Sequence, residues 1–172
     1  MADAVFKPTY PANGKVITIN FKDLASSATA GRESAIVDNT SDRYDSIDLH
    51  IKVKTGAGTP GVDGVLYVWA YRTILNVAGD TELLPSGVSG SATANNATIT
   101  AEEDKLYFVG AIKLPAASST YAKVFNLAPV FGGIMPRKWG IVVRNYSNLV
   151  LSATEEDCSA VYYGTNITAV TA

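Results

Sequence analysis

From residue 47 to residue 54 the chain reads Ile-Asp-Leu-His-Ile-Lys-Val-Lys, with a branched aliphatic residue at every odd position and a polar or ionisable one at every even position. Successive side chains of a β-strand point to opposite faces, so a period of two describes a strand with one face in a core and the other in water. Residues 65–72 (VLYVWAYR) place Val65, Tyr67, Trp69 and Tyr71 on one face and Leu66, Val68, Ala70 and Arg72 on the other. Both faces are apolar for most of that length, which predicts a central strand whose second face is covered by a loop or by a neighbouring subunit. Six further segments, 15–21, 34–38, 106–114, 121–127, 139–145 and 159–163, carry strand signals, and about eight strands are expected in all.

Turn-forming residues fill the gaps: 55–64, 85–96, 115–120 and 129–136 are rich in Gly, Pro, Ser and Asn. No long amphipathic helix interrupts them. Single helical turns are expected near 23–30 and near 101–105, where Thr100 and Glu103 have the spacing of a capping box. Strand, turn, strand at short spacing predicts an all-β fold, an antiparallel β-sandwich that is jelly-roll-like, because two stacked sheets hide both apolar faces. The expected organisation is an extended N-terminal arm over residues 1–14 and a single β-sandwich domain over 15–172.

Composition restricts the chemistry. A chain of 172 residues can bury one ordinary core. Its net charge of −2 lacks the clustered cations that duplex binding needs, so no nucleic-acid partner is expected. No apolar run approaches the roughly 20 residues of a spanning helix, and the N-terminus lacks the basic-then-apolar order of a secretory signal. Neither a membrane partner nor export by that route is expected. One Cys and one His, Cys158 and His50, cannot build a disulfide framework or a metal site of soft ligands. His50 reads as a solvated strand residue. Cys158 follows Glu155-Glu156-Asp157, whose negative charge disfavours a thiolate. The glycine-rich stretch 56–61 lacks the Gly-Lys-Ser/Thr ending of a phosphate loop. No catalytic residue, cofactor or metal is expected.

Three stretches carry a resemblance. These are GRESAIVDNT (31–40) followed by 48–55, GVLYVWAYRT (64–73), and FGGIMPRKWGIVVRN (131–145) with Leu151-Ser-Ala-Thr154 and Tyr163-Gly164 behind it. Over about residues 15–165 they resemble small virion structural proteins of tailed bacteriophages. The resemblance implies a non-enzymatic protein of the virus particle, assembled in the host bacterial cytoplasm. The leading expectation is a capsid decoration protein that binds the major capsid protein or other virion proteins and stabilises the head shell. A tail or fibre-base protein or adhesin is the first alternative, and a carbohydrate-binding module using aromatic faces the second. A binding role needs apolar surface and few charges, in keeping with 17% charged residues. Closed symmetry is the norm for such assemblies, so a homo-oligomer is expected, a trimer suiting a capsid's local threefold positions. The expected contact residues are Phe6 and Tyr10 in the arm, Thr59, Pro60 and Val62 in the loop 55–64, Val88 in the loop 85–96, and Tyr67, Trp69 and Tyr71. Residues 2–13 are further expected to add as a strand to a neighbour's sheet edge.

Overall fold

The computed structural model describes residues 4–73, 96–98 and 106–171. Among them are eleven strands in two antiparallel sheets: β1 (Ala4–Thr9), β2 (Lys15–Val16), β3 (Ala30–Glu33), β4 (Val37–Asp38), β5 (Ser46–Lys54), β6 (Val65–Arg72), β7 (Asn96–Thr98), β8 (Tyr107–Lys113), β9 (Thr120–Asn126), β10 (Lys138–Tyr146) and β11 (Ser159–Thr171). The first sheet has the order β1-β11-β5-β9, with β2 also paired to β11. The second has the order β7-β3-β10-β6-β8, with β4 also paired to β10.

That order is a rolled ribbon. If β3 and β4 count as one broken strand, and β1 and β7 are set aside, the remaining eight pair as nested partners: β2 with β11, β3/β4 with β10, β5 with β9, and β6 with β8. Rolling closes the ribbon through two more ladders, β5 on β11 and β6 on β10. This is the jelly roll, and the sandwich is as expected.

The period-two pattern does the packing. Ile47, Leu49, Ile51 and Val53 of β5 face Leu66, Val68 and Ala70 of β6 and Trp139, Ile141 and Val143 of β10 in one core, and none is more than 1% exposed. Trp139 meets Tyr162 of the opposite sheet edge-to-face at 5.4 Å between ring centres. Two glycines let large rings lie on backbone: a Cβ at Gly140 would overlap the Tyr71 ring, and one at Gly164 the Tyr44 ring.

Three expectations are corrected. The strand expected over 15–21 forms ladder only at Lys15–Val16; beyond it the chain crosses between the sheets, dropping Ile17, Phe21 and Leu24 into the core. The helical turn near 23–30 is absent, because Ser27 uses its hydroxyl to accept the Thr29 and Ala30 N–H groups and its own N–H to reach the Asn145 carbonyl. The arm is not bare extended chain: β1 pairs with the C-terminal half of β11, from Ala4 opposite Thr171 to Thr9 opposite Asn166. The turn near 101–105 lies outside the described residues.

The ladders also define two ends. At one end the loops 17–29, 55–64, 114–119 and 147–158 are knitted together: Gly56 N–H donates to Val150 O, Gly61 N–H to Ser147 O, Ser118 N–H to Gly56 O, and Leu151 N–H to Leu24 O. Buried Asn145 is the hub, its Nδ2 donating to Leu24 O at 2.9 Å and Leu149 O at 2.6 Å while its Oδ1 accepts from Ser147 Oγ at 2.6 Å. The loops 39–45 and 127–137 meet at the other end, where the β1–β11 pair leaves the body.

Candidate interaction surface

β11 is thirteen residues long and only its first seven, up to Thr165, pair with β5. Its remainder carries β1 alone, so six residue pairs run past the body as a two-stranded ribbon. The root is tied down by Asp45, whose backbone N–H donates to Thr165 O and whose carboxylate accepts the Ile167 N–H at 2.7 Å, and by Asn166 Nδ2 donating to Asp42 O.

Residues directly opposite in an antiparallel pair share a face. Pro8 stands opposite Ile167 on the face that Phe6 shares, which gives that face an apolar stripe, while near the root Lys7 opposite Thr168 and Thr9 opposite Asn166 lie on the other face. Phe6 and Tyr10 are 69% exposed and Ile167 58%. Proline in a sheet belongs on an edge strand, where no ladder needs its missing N–H, and β1 is such an edge.

The other expected contact residues divide. Val62 stands fully in solvent at the tip of the loop 55–64 and Thr59 is exposed, while Pro60 is half-buried. Val88 lies outside the described residues. Tyr67 is half-buried, but Trp69 and Tyr71 are buried within the chain and are corrected from surface to interior. They form a second small core with Val142 on the outer face of the second sheet, packed by Ile36 and Leu106. Tyr71 donates its hydroxyl to Ser34 O at 2.8 Å, and burial pushes its pKa up. Arg144 stacks over Trp69 with its guanidinium 4.9 Å from the ring centre. A loop of the same chain thus covers this side of β6.

Sequence reasoning missed several exposed apolar side chains, among them Phe108 on β8, Tyr146 at the end of β10, Ile134 and Ile167. A β-bulge between Val68 and Trp69 shifts the register of β8 and turns Phe108 outward beside Trp69, which no local pattern signals. Ile167 was legible as the apolar centre of Thr-Asn-Ile-Thr.

The two candidates for reactive chemistry are otherwise engaged. His50 is exposed and packs on the Tyr163 ring at 4.8 Å. Cys158 is buried, its sulfur accepting the Lys54 N–H, and burial raises its thiol pKa with help from Asp157. Asp157 itself is held below the usual carboxylate range by the Ser152 hydroxyl and by Lys54, at 3.0 Å. The folded protein should therefore resist thiol reagents at neutral pH and react at the rate of a free cysteine once unfolded in urea; fast labelling of the native chain would contradict this placement. Among the described residues no group of three His, Cys, Asp or Glu side chains gathers to hold a metal ion.

No protein-family model matches this chain, and comparison with curated proteins likewise yields no match.

Proposed function

We propose that this chain is a non-enzymatic structural protein of a bacteriophage particle, acting as a capsid decoration protein that assembles with copies of itself and binds the head shell. The observation that carries the reading is the projecting ribbon, built from both ends of the chain, with an apolar face open to water. An isolated two-stranded ribbon is marginal in water, and an exposed apolar surface of this kind marks a contact with another macromolecule. The jelly roll agrees, since it recurs in viral capsid and lectin domains, although a fold by itself assigns no role. The resemblance of residues 31–40, 64–73 and 131–145 to phage virion proteins supplies the particle.

The glycan-binding alternative loses its residues: Trp69 and Trp139 are enclosed and cannot stack on a sugar. Antibody labelling of purified particles decides between head and tail. Label on the head shell is the expected result, label at the tail moves the protein there, and particles that carry none of it refute the proposal.

Ribbon removal gives a further expectation. Deleting residues 1–13 should abolish binding to shells stripped of the protein while costing the isolated domain about 1 kcal/mol or less, because the ribbon contributes nothing to the main core. Circular dichroism and co-sedimentation with stripped shells measure the two effects separately.

A further inference from the structure

β1 and β2 lie along the same edge of β11, with Thr9 opposite Asn166 and Lys15 opposite Tyr162. The link 10–14 therefore faces only residues 163–165, and its slack is taken up in a bend at Ala12 and Asn13. Asn13 is the one asparagine of the chain that a glycine follows, and it is exposed. Its carboxamide has no hydrogen bond among the described residues, whereas those of Asn20, Asn39, Asn126, Asn145 and Asn166 are each engaged. The Gly14 N–H meets no backbone acceptor among the described residues. A Cβ at residue 14 would come within 2.5 Å of Val161 Cγ1 and 2.7 Å of Tyr163 Cζ, so packing itself calls for glycine after Asn13.

We propose that Asn13 is a site of spontaneous deamidation in the folded chain. The Gly14 nitrogen gives its proton to hydroxide and attacks Asn13 Cγ. The new N–Cγ bond closes a succinimide ring, the Cγ–Nδ2 bond breaks, and Nδ2 takes a proton from water and leaves as ammonia. Water then adds to one of the two imide carbonyls. Cleavage of the N–Cγ bond gives aspartate; cleavage between the nitrogen and the main-chain carbonyl carbon gives isoaspartate, whose backbone runs through Cβ and Cγ. Glycine permits the attack because no Cβ crowds its nitrogen. The fold permits it because neither the departing amide nor the attacking N–H has a hydrogen bond to break, and the rotation that brings them together occurs in an exposed link outside both ladders. Either product places a carboxylate two residues before Lys15, whose ammonium pairs with Asp42 at the root of the ribbon. Isoaspartate also lengthens the link by one main-chain atom. The slack of the link absorbs it without disturbing the core, whose first residue beyond the link is Ile17. The change is one-way and confined to the joint between ribbon and sandwich.

The inference does not rest on the virion reading, and its test needs only the full chain in solution. The protein is incubated at neutral and at mildly alkaline pH, folded and in urea, and its peptides are sequenced by mass spectrometry. The expected result for the folded chain is conversion at residue 13 ahead of every other asparagine, at a rate that rises in proportion to hydroxide. Isoaspartate is identified by its resistance to an endoproteinase that cleaves at aspartate. On anion exchange the aged chain should gain a species one negative charge more acidic, which Asn13→Gln does not form, while the circular dichroism stays unchanged. Conversion of Asn13 in urea but not in the folded chain overturns the proposal, because the native link then withholds the geometry of attack. Conversion of another asparagine before Asn13 in the folded chain overturns it as well.

Discussion

Trp139→Ala is expected to cost about 3–5 kcal/mol of folding stability, the range for deleting a large aromatic from a closed core. Trp139 has no solvent exposure, sits between the sheets among Leu49, Ile51 and the β6 aliphatics, and forms the edge-to-face contact with Tyr162 that joins β10 to β11. Its Nε1 is buried without a hydrogen-bond partner. Trp139→Phe should therefore cost much less, since it removes an unsatisfied donor along with part of the ring. Urea denaturation with an unchanged slope checks both, and a near-neutral Ala variant would show that the sheets do not pack as described.

Asn145→Ala is the second large effect, at about 3 kcal/mol. The change removes three hydrogen bonds at once: the Leu24 carbonyl keeps only the Leu151 N–H, and the Leu149 carbonyl and Ser147 hydroxyl keep only each other and the Leu149 N–H. Buried groups that lose a partner cost about 1–3 kcal/mol each, with the remaining bonds and relaxation of the loops recovering a part. Because Asn145 joins the loop 17–29 to the loop 147–158, the loss should be local as well as global. Amide exchange at Ser27 and Leu151, whose N–H groups bond across that joint, should accelerate more than exchange at the β5–β11 ladder. Equal acceleration everywhere would deny the hub.

The strands differed in how plainly they could be read. β6 matches its alternating stretch residue for residue over Val65–Arg72, and β5 extends the predicted stretch by one residue. These strands have cores on their faces, so burial is written into their period. β3, Ala-Gly-Arg-Glu, has no alternation to read: it is a strand because β10 offers it a ladder, opposite Val142 and Val143. β1 was hidden by Pro8 and by the absence of any core beneath it. The distal half of β11 lies beyond the expected strand 159–163 and is a strand because β1 pairs with it.

The contact residues follow the same division. Phe6, Tyr10 and Val62 stand out as large apolar side chains in segments with no strand core to enter, and all three are exposed. Trp69 and Tyr71 lie on a face whose parity could be read, yet parity says only that two residues share a side of the sheet. It cannot say whether water, another subunit or the Ser34–Ile36 segment occupies that side.

Local sequence thus determined the period of two, the apolar stripes, the breaks between strands and therefore an antiparallel sandwich, because side-chain direction in a strand is fixed by covalent geometry alone. Tertiary structure decided the nested pairing, the covering of Trp69 and Tyr71, and the pairing of β1 with the distal part of β11 in a ribbon. Those depend on contacts between residues far apart in the chain, Thr9 with Asn166 among them, and such contacts leave no periodicity in the chain.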